Sequence, residues 1–252
     1  MNEETNRGHG FWSSKTNVAA AAVVGLIIVI GLVVLLLPRG DDPDAASPGT
    51  ASQPTDETTS AASNDSCPGL ANNDDTTITA GSLDDTQWEL RDGVAIPTSE
   101  KWGPGKVEDG IPSCFAKTPQ GVALMLGRMA TMNLIGAGTK AVEAMTVDDE
   151  NREAALKAAE SSRSNNEQAG GIDAQIAGIR IESFDKDAGT ATATLVVSAE
   201  NGTAPTQYVR ESYQLRWVDG DWKVEMPSSG LSDASQLPSL DGFTRWSGVG
   251  NG

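Results

Sequence analysis

Hydrophobic positions change their spacing several times along this chain, and each change marks a boundary. From Val18 to Leu37, twenty residues pass without a charged or strongly polar side chain before Pro38 and Arg39 close the run. At about 1.5 Å rise per residue such a helix is roughly 30 Å long, the thickness of a bilayer's hydrocarbon core. The run predicts a transmembrane helix over 18–37. A cleaved secretory signal is the rival reading, but its apolar region is usually about 7 to 15 residues and ends at small residues. This one ends in Leu35, Leu36 and Leu37. From Arg39 to Ser66 the chain is Pro, Ser, Thr, Asp and Ala with almost nothing to bury, which predicts a disordered stalk over 38–66. A flexible coil of that length has its ends about 30 Å apart.

The apolar pattern resumes near Cys67, at first only as short clusters at Trp88, Leu90 and Val94 to Ile96 among Gly, Pro, Asp and Thr. Residues 67–117 read as an irregular extension. At Thr118 the period becomes helical: Thr118 can cap a first turn opened by Pro119, and Val122, Met125, Leu126, Met129 and Met132 recur at three- and four-residue spacing until Gly136 and Gly138. This predicts an amphipathic helix whose methionines are core. A second helix is predicted from about Val147 to Arg163, because Thr146 and Asp149 resemble a capping box and Ala154 to Ala159 favour helix. Its thin apolar face leaves one side exposed.

After Gly171 the period falls to two. Ile179 and Ile181 alternate with charge, and Ala191, Ala193, Leu195, Val197 and Ala199 oppose Thr190, Thr192 and Thr194. Farther on, Asp219-Gly220 is a type I′ hairpin signal whose register sets Trp217 opposite Trp222, Leu215 opposite Val224 and Tyr213 opposite Met226. The opposite face pairs Arg216 with Lys223, which needs Glu211 or Glu225 nearby. Residues 227–252 offer only Leu231, Leu237, Leu240, Phe243 and Trp246 to bury and read as a loose tail. The fold class is therefore α+β, with two helices over 118–226 packed on a curved antiparallel sheet.

Charge and cysteine place this domain. Of 35 acidic and 18 basic side chains, two of each precede Pro38, so the whole net charge of −17 lies beyond the apolar run. No basic cluster offers itself to a phosphate backbone, which argues against nucleic acid as a direct partner. Residues 1–17 form a short cytoplasmic tail and the bulk of the chain is expected outside the cytoplasm, although Arg7, Lys15 and Arg39 give only a small positive-inside bias. Both cysteines, Cys67 and Cys114, lie on the far side of the span. In an oxidising compartment they are expected to form one disulfide, closing a loop of about 48 residues and constraining the unfolded chain by about 4 kcal/mol. Two buried thiols are the alternative.

Candidate chemistry is sparse. The one histidine, His9, precedes the span, which removes histidine triads and histidine–metal sites from the domain. Two cysteines without CxxC spacing cannot fill a zinc shell, so neither metal nor cofactor is expected. Asp148, Asp149 and Glu150 read as partners of a helix dipole. Acidic residues are too abundant for any pair of carboxylates to single itself out as a glycosidase site. Asn64-Asp65-Ser66 and Asn201-Gly202-Thr203 match the glycosylation pattern and read equally as loops. Within the span, Ala21 and Gly25 make a small-xxx-small step through which two helices can approach.

This order of elements is similar to the nuclear-transport-factor-like, cystatin-like α+β roll. A short tail, one span, a polar stalk and such a roll resemble the inner-membrane scaffold subunits of type IV secretion and conjugation systems. Cys114-Phe-Ala-Lys-Thr-Pro-Gln-Gly121 before the apolar helix, with the Trp217-to-Trp222 hairpin, resembles membrane-anchored proteins of actinobacterial conjugative elements. The resemblance covers roughly residues 88–226. It implies a non-enzymatic scaffold partnered by the lipid bilayer, by copies of itself and by other envelope transfer proteins. An envelope-anchored small-ligand-binding module and a carboxylate-dependent cell-wall enzyme are the alternatives from other classes.

Overall fold

A computed structural model describes Cys67 and residues 69–169, 173–200 and 205–248, with the side chains of 163–169 left aside. The predicted tail, span and stalk, the Ala21/Gly25 step and both glycosylation patterns lie outside these residues. Among the described residues no helix is long and apolar enough to cross a membrane.

The domain is α+β: helices packed on antiparallel sheets. Two hairpins come first, β1 (Gln87–Arg91) with β2 (Val94–Thr98) and β3 (Lys106–Glu108) with β4 (Ile111–Ser113). Helices α1 (Pro119–Leu134), α2 (Gly138–Met145) and α3 (Arg152–Ala169) come next, and then strands β5 (Asp173–Asp185), β6 (Thr190–Glu200), β7 (Gln207–Val218), β8 (Asp221–Glu225), β9 (Asp233–Leu237) and β10 (Thr244–Arg245). The main sheet runs β10-β5-β6-β7-β8, with β9 also on β7.

Helix α1 starts as its sequence predicts. Thr118 is extended and its hydroxyl accepts the Gly121 N–H at 3.1 Å, while Pro119 occupies the first turn. Gly121 is required there, since a Cβ would lie 2.0 Å from the Ala116 carbonyl oxygen. The helix is not amphipathic, however. Every residue from Pro119 to Met132 is buried, because the sheet covers one side and β2 and Trp246 cover another.

The second predicted helix is divided differently. Gly136, at φ +78°, ends α1 and allows a short α2 at residues read as a break. Thr146 closes α2, its hydroxyl donating to the Val142 carbonyl at 2.7 Å, and so does not cap α3. Asp148, Asp149 and Glu150 precede α3, where Asp149 accepts the Asn151 N–H at 2.9 Å and Asp148 pairs with Arg152 at 2.8 Å.

In the sheet, β-bulges at Ile176/Gly178 and Ile181/Ser183 correct the simple alternation, turning Ile176, Ile179, Ile181 and Phe184 all toward the helices. The β7–β8 hairpin has its predicted register at Trp217–Trp222 and Leu215–Val224. Pairing stops at Gln214–Glu225, before Tyr213 and Met226, and β9 then takes over the same edge of β7 from Ser212 to Tyr208. Glu225 is the acid that offsets Arg216 beside Lys223.

Both ends of the domain differ from expectation for one reason, that short strands of polar sequence are fixed by contacts made at a distance. The extension over 67–117 carries two hairpins and buries Val94, Ala95 and Ile96. The expected loose tail straps the sheet: β9 pairs with β7, Leu237, Leu240 and Phe243 cross its outer face against Ala177, Val196 and Tyr208, and β10 pairs with β5 on the other edge.

Candidate functional site

Three places in the domain gather polar chemistry, and each rests on a different local cause. The first is the lock between the disulfide and the hairpin tip. Cys67 and Cys114 are bonded, with Cα atoms 5.3 Å apart across 47 residues of sequence. Cys114 has φ +62°, a left-handed conformation that aims its own N–H and that of Phe115 at one carboxylate. Asp221 accepts both, at 2.8 and 3.0 Å, and the N–H of Trp222 at 2.9 Å. The Trp222 indole N–H donates to the Ala116 carbonyl at 2.9 Å, so residues 114–116 are held at three points. Burial pushes the Asp221 carboxyl above its ordinary range, and the three N–H groups and Lys223 only partly oppose it. A carboxyl committed to three backbone donors is a fastener, not a proton-transfer group.

The second is Arg128, set among the apolar residues of α1. It is 7% exposed, and its Nε finds no hydrogen-bond partner among the described residues. Burial first, and Arg91 second, hold its pKa below the usual arginine value, while Glu89 acts the other way. Glu89 is itself paired with Arg91 at 3.1 Å. Deeper in the domain, burial and then Glu211 raise the Tyr213 phenol well above its ordinary value, and its hydroxyl is hydrogen-bonded to that carboxylate.

The third is a cleft of about 230 Å³ between the two segments that the sequence leaves irregular. Gly81, Leu83, Asp84, Thr86 and Trp88 from the N-terminal extension face Thr244 to Ser247 of the C-terminal strap. Its wall is fixed. Trp246 is buried, its indole N–H donates to the Thr86 hydroxyl at 3.1 Å, and its ring lies 5.3 Å from that of Trp88 at 53°. Gly127 and Gly248 admit this pair, because a Cβ at either would stand 2.6 Å from a tryptophan ring.

Of the residues singled out by sequence, Cys67 and Cys114 are brought together, and the Trp217 and Trp222 rings meet edge to face at 5.2 Å. Thr190 lies inside the sheet, between β5 and β7, paired with Asp185 and Arg216. An open edge lies instead on β5, where β10 pairs only with Gly178 and Ile179 and no described strand covers the outer edge of Arg180 to Asp185. Asp84, Arg128, Asp221 and Arg245 carry no motif, and only the charge of Arg128 within an apolar run is a signal that a sequence can offer. Among the described residues no group of three His, Cys, Asp or Glu side chains is placed to hold a metal ion.

Residues 46–245 match the family described as "Domain of unknown function (DUF8175)", and the chain belongs to that family. That unit takes in both hairpins and the strap along with the helices and the sheet. No curated protein matches the sequence. Among solved structures, the intermembrane space region of the chloroplast protein ARC6 is similar at 16% identity, over 48% of this chain and 96% of that one, with a TM-score of 0.32. So slight a likeness supports no conclusion about fold or function.

Proposed function

We propose that this DUF8175 chain is a membrane-tethered, extracytoplasmic, non-enzymatic scaffold, an assembly part of an envelope apparatus for conjugative transfer or secretion. The observation that carries the location is the Cys67–Cys114 disulfide, which closes directly after a polar linker that itself succeeds a twenty-residue apolar run. Disulfides persist in oxidising compartments, so the domain belongs on the far side of the bilayer from the short N-terminal tail. Helices followed by a sequential antiparallel meander also suit the cystatin-like roll, in which the sheet curves around the helices. The transfer role itself rests on the sequence resemblance.

For assembly, the open edge of β5 supplies unpaired backbone groups to which a strand of a second chain can add. Anchoring in a plane raises effective concentration, so a weak edge contact becomes useful only in the membrane. A photo-crosslinking residue in place of the exposed Ser183 in the full chain should give a dimer-sized or partner-sized product in membranes. Deleting the gene should lower transfer frequency. Unchanged transfer together with a strictly monomeric chain would overturn the scaffold reading.

A further inference from the structure

We propose that the Trp88–Trp246 cleft is a saccharide-binding site that takes a single sugar ring. The inference goes beyond the scaffold reading and does not depend on it. Two charges line this cleft, Asp84 and Arg245, and neither side chain has a hydrogen bond or ion pair among the described residues. Other surface charges pair locally, Arg91 with Glu89 at 3.1 Å, Lys106 with Glu108 at 3.0 Å and Arg180 with Glu182 at 2.6 Å. One acceptor-only carboxylate and one donor-only guanidinium therefore stand available in the same concavity.

The size of the cleft narrows the ligand. At about 230 Å³ it falls below the roughly 300–1,000 Å³ of ordinary ligand pockets, so it has no room for a whole cofactor. Its aromatic wall is the half-buried Trp88, immobilised against the buried Trp246, which is itself held by the Thr86 hydroxyl and packs on Gly127. A sugar presents an apolar C–H face to an indole and hydroxyls at its rim, each of which both donates and accepts. Asp84 can accept from one hydroxyl while Arg245 donates to its neighbour. An anion such as phosphate gains from Arg245 alone and meets Asp84 and a chain of net charge −17.

The test uses the full chain in detergent micelles, with soluble chitotetraose as one probe and purified insoluble peptidoglycan as the other. Tryptophan fluorescence and the indole N–H resonances of Trp88 and Trp246 report occupancy. Chitotetraose should saturate a single site, and Asp84→Asn and Arg245→Gln should each weaken it about tenfold, the usual scale for a hydrogen bond to a charged group. Both side chains are exposed, so these variants should melt with the parent. Lys106→Gln, at a charge pair outside the cleft, should bind unchanged. Retention on peptidoglycan without chitotetraose binding would place the site on polymeric glycan and still support the proposal. No binding of either probe, unchanged affinity in both variants, or saturation by alanyl-alanine in place of the sugar would overturn it.

Discussion

The carboxylate of Asp221 accepts the backbone N–H groups of both Cys114 and Phe115, joining the tip of the β7–β8 hairpin to the segment that carries the disulfide. Both residues are buried. Asp221→Ala would take this acceptor away from two buried donors, at a cost of about 2–4 kcal/mol. Chemical denaturation of the oxidised domain checks this, and a loss below about 1 kcal/mol would mean that the lock is not what holds the segment.

The same carboxyl gives a pH dependence. Its folded-state pKa is raised above the ordinary 3.8, so the folded form holds its proton more tightly than the unfolded form does. Stability gained from that proton is present below the ordinary value and is lost as pH rises through the raised one. Subtracting Asp221→Asn from the parent at each pH should therefore leave a difference that declines upward from about pH 4. A difference that grows with pH would reverse the assignment, making hydrogen bonding the dominant influence in place of burial.

Trp222 is 1% exposed, packs on Phe184 and Trp217 and donates to Ala116. Trp222→Ala should cost about 3–5 kcal/mol. Trp222→Phe keeps much of the packing and leaves one carbonyl unpaired, so its cost should be nearer 1–3 kcal/mol. Equal melting of Trp222→Ala and the parent would contradict the position of this ring in the core.

Arg128 offers a prediction of opposite sign. A buried guanidinium with an unpartnered Nε costs free energy, and a methionine of similar reach has no such group to satisfy. Arg128→Met should raise stability, by about 1 kcal/mol. A clear loss would show that Arg128 has a partner outside the described residues.

The features legible in the sequence obey local rules. Thr118-Pro119-x-Gly121 set a helix start because capping and steric fit act within four residues, and Asp219-Gly220 set the hairpin register because a two-residue turn admits few geometries. The α2 break was hidden by Gly136 and Gly138, which read as a terminus when one of them ends a helix and the other opens the next. The alternation in β5 was misleading until the bulges shifted Ile176 into phase with Ile179. Least legible were β1, β9 and β10, since Asp-Ala-Ser-Gln-Leu has no periodicity and becomes a strand only because β7 extends beyond β8. The cleft was illegible for the same reason: Asp84 and Arg245 stand 161 positions apart and meet only when the strap closes.

Cysteine labelling in intact cells tests the central claim of a tethered, disulfide-locked domain outside the cytoplasm. The full chain is treated with a membrane-impermeant, mass-shifting maleimide, with and without prior exposure to an impermeant reductant. The account predicts no shift without reduction and a shift of two labels after it, with no need for lysis. Labelling of both cysteines without reduction, or labelling that appears only after the cells are broken, would contradict it.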